Sequence, residues 1–452
     1  MVADFCNFMQ LLKLHGQADP TILSWIEKKS DKYTSPPIQN EIIQIMALGI
    51  LTRKVAHSVL EDAFFTIMVD ETTDVSNREQ VVLVLRHVDS ELNVQENFIG
   101  LYVVPSIDAQ TITNVIKDTL LRMILQLSKC RGQCYDGASN MSGTKRGVAT
   151  NITAEEPRAI YTHCYGYALN LAVGDTIRGS KVMRDSLDAL HEISKLVKFS
   201  PKRDGQFEEL RMEMSPDTPR FRVLCPTRWT VRAECLKSVL DNYSVLQKLW
   251  DTTYETTRDT ETRARIVGAK SQMVAFDFLY GVTLGYELLK HSDNLSKALQ
   301  YKDMSASEGH DLAHVTVSTL SKLRTDDAYH QFWGSIDTKL DNVDVNEPTL
   351  PQGCKLPKRY ETGDADYEYP NSPKDLYRQQ YFEALDMAIN CIQDRFDQPG
   401  FRLYTRLQDS LLKSVVEDPT AADDIQHVME VYKGDINEVA FGTQVDSLRT
   451  LL

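Results

Sequence analysis

The chain has 452 residues, enough for two to four domains, and its 42% apolar content allows a substantial buried core. A formal net charge of −14 excludes a polypeptide that coats nucleic acid along its whole surface, although a local basic groove stays open. No apolar run reaches the ~18 residues of a membrane span, and Met1-Val-Ala-Asp-Phe-Cys lacks the basic start and apolar core of a signal peptide.

Residues 1–62 read as a helical lead-in. Phe5, Phe8, Met9, Leu11 and Leu12 recur at helical spacing, and Ile42, Ile43, Ile45, Met46, Ile50 and Leu51 do so after the Ser35-Pro36-Pro37 breaker. The pattern then changes. Residues 64–69 form a short apolar run rich in β-formers, read as a strand buried on both faces, which ends in Asp70-Glu71-Thr72-Thr73-Asp74. Similar runs at 81–88 and 98–104, separated by short polar segments, predict an antiparallel meander.

A helix is expected over 108–127, with Asp108 as N-cap and Ile112, Val115, Ile116, Leu120 and Leu121 on one face. A fourth strand, 131–135, runs into Asp136-Gly137-Ala138-Ser139-Asn140. A fifth, 159–164, precedes a helix through Ala168, Leu169, Leu171 and Ala172. Three strands, a helix, a strand, a helix and a strand is the order of a ribonuclease H-like sheet, which places that core at 63–180. Fold order alone does not assign function.

The rest reads as helical: 181–199, 204–214, 231–256 and a long stretch over 257–342, together a helical insertion region of 181–342. Residues 343–373 hold five prolines, two glycines and mixed charge, as in an exposed loop or disordered insert. Helices resume at 374–396, 401–416 and 422–433 within a remainder of 374–452. The class is therefore α/β, a ribonuclease H-like mixed sheet interrupted by a large all-helical insertion.

Eight cysteines (Cys6, Cys130, Cys134, Cys164, Cys225, Cys235, Cys354 and Cys391) are scattered, as suits reduced thiols in the nucleus or cytosol. Cys130 and Cys134 would share one face of an extended strand. They read as buried thiols rather than zinc ligands, since no second pair accompanies them, and no structural zinc is expected. Arg220, Arg222, Arg228 and Arg232 cluster, as do Lys355, Lys358 and Arg359. Solvated surface charge is the ordinary reading of each; a basic groove for DNA is the other.

Asp70 and Asp136 each follow a β-rich run and precede a turn. A carboxylate held at a strand end suits a hard cation such as Mg²⁺ or Mn²⁺, which takes oxygen ligands and keeps several waters. Two such ions can activate a nucleophile and stabilise the leaving oxygen of a phosphodiester. Taken singly, an Asp at a strand end is a turn former.

Val69-Asp70-Glu71-Thr72-Thr73-Asp74-Val75-Ser76, Cys134-Tyr135-Asp136-Gly137-Ala138-Ser139-Asn140-Met141 and Cys225-Pro226-Thr227-Arg228-Trp229 occur in this order. Together they resemble the hAT superfamily of transposases, and more closely the domesticated hAT-like proteins of the zinc finger MYM-type 1 kind. The resemblance covers essentially the whole chain. It implies a catalytic set of two aspartates and a glutamate, the first two falling on Asp70 and Asp136, and an Arg-Trp motif on Arg228 and Trp229. Trp229 would then stack on a flipped base, with Arg228 and Arg232 beside it as nucleic-acid contacts; the other reading of Trp229 is a core tryptophan.

Two departures stand out. The family's Cys-x-x-His is here Cys164-Tyr165-Gly166-Tyr167, with His163 on the opposite sheet face. The Ser-Ala-Glu-Arg-Ser-Phe-like segment that carries the glutamate does not occur before Leu452, and Glu308 in Met304-Ser305-Ala306-Ser307-Glu308-Gly309 matches it only superficially. Residues 1–62 show no zinc-finger spacing. The resemblance thus implies a chain truncated at both ends, without the C-terminal dimerisation region. The expectation is a transposase-derived, catalytically incomplete protein that binds nucleic acid or protein, with a vestigial Asp70/Asp136 site holding Mg²⁺ or Mn²⁺ weakly. Its setting would be nuclear, with a cytoplasmic one left open. Two alternatives stand beside it: an active hAT-type nuclease whose third carboxylate comes from elsewhere, and an acidic helical scaffold for protein partners.

Overall fold

A computed structural model describes residues 7–30, 33–56, 64–222, 232–301, 304–350, 370–416 and 418–451. The chain divides into two compact units, Met1–Tyr161 and Thr162–Leu452.

The first unit opens with helices α1 (Asn7–Gly16), α2 (Pro20–Ile26) and α3 (Pro36–Ile50). Strands β1 (Phe65–Thr73), β2 (Glu79–Val88) and β3 (Val94–Val103) then form the expected antiparallel meander. Its hairpins are closed by aspartates. Asp74 Oδ1 accepts the Ser76 and Arg78 amides at 2.7 and 3.0 Å, while Asn77 takes the left-handed φ of 57° that asparagine tolerates. Asp89 does the same for Glu91 and Asn93.

After α4 (Ala109–Arg122), β4 (Cys130–Tyr135) lies parallel to β1. Short α5 (Ser139–Ser142), α6 (Val148–Glu155) and β5 (Ile160–His163) complete a mixed sheet of order β3-β2-β1-β4-β5. The α/β class, the mixed sheet and a large helical region are all present.

Details depart from the sequence reading. β1 is not equally buried on both faces: Phe65, Ile67 and Val69 enter the core with Leu83, Ile116 and Ile152, whereas Thr66 and Met68 are half-buried. Helices α4 and α6 close that core face. Cys130 and Cys134 do not share a face either. The β1–β4 register slips between Phe65↔Cys130 and Thr66↔Gly132, so Arg131 bulges and the side-chain alternation inverts. Cys130 is buried in the core and Cys134 is half-buried beside Met68. Asp108 caps α4 as expected, but the helix ends at Arg122 because Ile124 turns left-handed, φ 59°, and Leu125 N–H bonds back to Leu120 O at 2.9 Å.

The second unit is helical: α7 (Tyr165–Gly179), α8 (Lys181–Lys198), α9 (Pro201–Met214), α10 (Arg232–Asp241), α11 (Tyr243–Thr256), α12 (Thr260–Met273), α13 (Phe276–Ala298), α14 (Ala306–Lys322), α15 (Asp326–Leu340), α16 (Pro373–Phe396), α17 (Pro399–Val415), α18 (Ala421–Val431) and α19 (Glu438–Leu451). The helix after β5, read as part of a 63–180 core, packs on α8 and α16 and belongs to this unit. The stretch 231–256 is two helices broken at Asn242, whose Nδ2 donates to Ser238 O (2.7 Å) and Pro219 O (3.0 Å). Among its described residues the stretch 257–342 holds four, three of them capped by Asp259, Ser305 and Thr325.

Tyr280, buried on α13, anchors the helical core by donating to Tyr377 O at 2.6 Å, within a cluster that includes Phe276, Phe332, Trp333 and Tyr381. Of the expected loop 343–373, residues 344–346 are pinned: Gln247 donates to Asp344 O, and Asn346 N–H to Val274 O. Lys355, Lys358 and Arg359 lie outside the described residues. Among the described residues no helix is long and apolar enough to cross a membrane.

Candidate metal centre

Asp70 leaves the core side of β1 directly after buried Val69, and Asp136 follows β4 directly after buried Tyr135. The parallel register pairs Ile67 with Gln133 and Met68 with Cys134. Continued two residues past its last pair, that register would bring Asp70 beside Asp136 on the non-core face. Asp136 stands just past the end of β4, but Asp70 does not end its strand as the sequence reading expected: β1 runs on to Thr73, with Asp70 paired to Val82 of β2. Asp70 is exposed and its Oδ1 accepts the Glu71 amide at 3.0 Å. Asp136 is half-buried; its Oδ1 accepts Ala138 N–H at 3.1 Å, turning the chain into α5. Asp136 thus does the turn chemistry expected of an aspartate after a strand.

The bed beneath Asp136 is rigid. Tyr161 donates to Asp136 O at 3.1 Å and stacks on Tyr135. Tyr135 in turn donates to Gln133 Oε1 at 3.0 Å. Gln133, fully buried, donates to Ala159 O (2.7 Å) and Thr153 Oγ1 (2.9 Å), tying β4 to α6. The loop after Asp136 is as tight: a Cβ on Gly143 would lie 2.3 Å from Ser139 O, so only glycine fits there.

Glu71 and Asn140 lie beside the two aspartates, and the motif reading named neither as functional. Asn140 Nδ2 bridges Glu71 Oε1 (2.6 Å) and Ile107 O (2.7 Å). Partial burial pushes the Glu71 carboxyl up from its ordinary range, and the like charges of Asp136, Asp70 and Glu79 add to this while Asn140 opposes it. The shift thus reflects burial first and the neighbouring carboxylates second. Two hard oxygen donors on one face fit Mg²⁺ or Mn²⁺ completed by water. Among the described residues no three His, Cys, Asp or Glu side chains converge in metal-binding geometry.

Residues 3–147 match the family model described as ZMYM1/FAM200, RNase-like domain. Over 89% of its length the chain is similar to the 52 kDa repressor of the inhibitor of the protein kinase, at 22% identity to the Mus musculus protein and 23% to the Homo sapiens one. These likenesses support a transposase-derived, ZMYM/hAT-like protein. The chain spans about half (53%) of the length of those two relatives.

Of the other motif residues, those that are described fall in the second unit or at its start. Arg228 and Trp229 lie outside the described residues. Arg232 opens α10, where it is largely withdrawn from solvent: it reaches Asn170 Oδ1 at 3.5 Å and faces Asp293, and burial pulls its ordinarily very high pKa down. Arg220 pairs with Asp204 at 3.0 Å, and Arg222 with Glu234. Glu308 is a helix cap: its Oε2 accepts Ser305 N–H at 2.9 Å while Ser305 Oγ accepts Glu308 N–H at 3.1 Å. In the departed Cys-x-x-His, Cys164 precedes α7, Tyr165 stacks on Phe401 and Phe396, and His163 is buried at the end of β5.

Proposed function

We propose that this transposase-derived chain retains a weak divalent-cation site at Asp70 and Asp136 without strand cleavage, and that it acts in the nucleus by binding nucleic acid or protein. The observation that carries the reading is the parallel β1–β4 register, which pairs Met68 with Cys134 and, carried on by two residues, brings Asp70 within β1 alongside Asp136 just past β4. Glu71 supports the absence of turnover, because its carboxylate is engaged by Asn140 rather than turned with the pair. Two ligands attract a cation but leave it mobile, and a two-ion displacement needs both metal positions held. The two relatives named as repressors support a binding role over a catalytic one.

Calorimetry with Mn²⁺ and Mg²⁺ tests the site. Wild type binds and the Asp70→Asn/Asp136→Asn double variant does not; identical isotherms would remove it. Mn²⁺-dependent cleavage of terminal-inverted-repeat DNA, lost in either single Asp variant, would overturn the non-catalytic reading. Any DNA contact through the Arg228-Trp229 segment would weaken steeply with salt.

A further inference from the structure

Helix α14 carries His310 and His314 four residues apart on one face, their Nε2 atoms sharing a hydrogen bond at 3.0 Å whose proton a bound ion would replace. The rings meet edge to face with centroids 4.5 Å apart. They line a cavity of about 410 Å³ together with Asp394 and Asp397, from the end of α16 and the residue following it. Two imidazole nitrogens bound to one ion at about 2.0–2.1 Å, at angles between right and tetrahedral, stand roughly 2.9–3.4 Å apart. The pair already has that spacing.

We infer that His310 and His314 form a two-imidazole site for a borderline transition ion of the Zn²⁺ class, opening into this cavity, with water completing the coordination.

The chemistry differs from that at Asp70 and Asp136. Imidazole favours Zn²⁺, Cu²⁺ or Ni²⁺, whereas paired carboxylates suit Mg²⁺ and Mn²⁺. An i, i+4 histidine pair on a helix is the geometry by which such helices grip zinc, and the absence of a glutamate next to His310 removes the metalloprotease reading of the motif. Asp397, across the cavity, is held by Arg402 and lies within the electrostatic reach of both imidazoles. Its negative charge lowers the cost of placing a dication there. Arg402 offsets that benefit in part, so the site is a reversible one rather than a folding zinc. His314 is exposed and His310 half-buried, so the ion enters without unfolding.

Titration of the full chain with Zn²⁺ alone tests the site. Wild type should take up one ion per chain through it. His310→Gln and His314→Gln should each raise the dissociation constant by about tenfold or more while leaving the unfolding midpoint of the metal-free protein unchanged. The Asp70→Asn/Asp136→Asn variant should bind Zn²⁺ at this site as wild type does, which separates this inference from the proposed function. Absence of Zn²⁺ binding, or binding that both His variants retain at wild-type strength, would overturn it. So would loss of binding only when the cysteines are blocked.

Discussion

Asn140 Nδ2 donates to Glu71 Oε1 at 2.6 Å from 69 positions along the chain, joining the two aspartate-bearing motifs through a residue from each. The same amide reaches Ile107 O. Asn140→Ala should therefore lower the unfolding free energy by about 1–2 kcal/mol, the cost of orphaned polar partners at a half-buried site. Asn140→Asp should be worse at pH 7, since it sets another carboxylate against Glu71 and Asp136. The gap between the two variants should narrow as pH falls toward 4 and carboxylates protonate. Denaturant unfolding at the two pH values reads both effects.

Gln133 holds four partners inside the first unit: Ala149 O, Thr153 Oγ1, Ala159 O and the Tyr135 hydroxyl. Gln133→Leu keeps the volume but strands them all. A loss of roughly 2–4 kcal/mol is expected. A chemical denaturation midpoint within experimental error of wild type would contradict it.

Gly281 is the point of close approach between α13 and α8. A Cβ there would stand 2.1 Å from Ser186 Oγ and 2.6 Å from Val182 O. Gly281→Ala should destabilise by about 1–3 kcal/mol through overpacking. Adding Ser186→Ala should recover only part of the loss, because the Val182 carbonyl is backbone and cannot be trimmed. Full recovery in the double variant would mean the side chain alone sets the distance.

Asp293, buried on α13, accepts Ala233 N–H at 3.0 Å, and burial raises its carboxyl from 3.8 to about 6. A folded-state pKa above the unfolded one means the native state binds the proton more tightly. This group's stabilisation is fully present below about pH 4 and is lost as pH rises through about 6. Asp293→Asn keeps an acceptor for Ala233 and removes the titration. Between pH 4 and 7 the variant should gain on wild type by on the order of 1–2 kcal/mol. Parallel stability–pH curves would show that Asp293 does not titrate in this range.

The periodic part of this architecture was legible in the residues. The meander, the Asp108 cap and the helical second half follow from apolar spacing and capping chemistry, which act within a few residues of each other. Asp136 does follow a strand directly after a core-facing residue, whereas Asp70 lies within β1, whose pairing with β2 carries it on to Thr73. Helix counts within 231–342 were not legible, because a continuous apolar period does not reveal where Asn242 or a capping Ser305 interrupts it.

Side-chain pairing was decided by tertiary structure. One bulge at Arg131 placed Cys130 and Cys134 on opposite faces and, by the same inversion, set Asp136 on the face of Asp70. Ile124 adopted a left-handed end that sequence preference assigns to glycine. Arg220, Arg222 and Arg232, clustered in sequence, met Asp204, Glu234 and Asn170, while Glu71 found Asn140. Local patterning determines which residues become strand and helix because that choice rests on neighbouring dihedrals and a repeating apolar face. Which charge meets which partner rests on register and packing between distant segments, where one inserted residue turns every following side chain over.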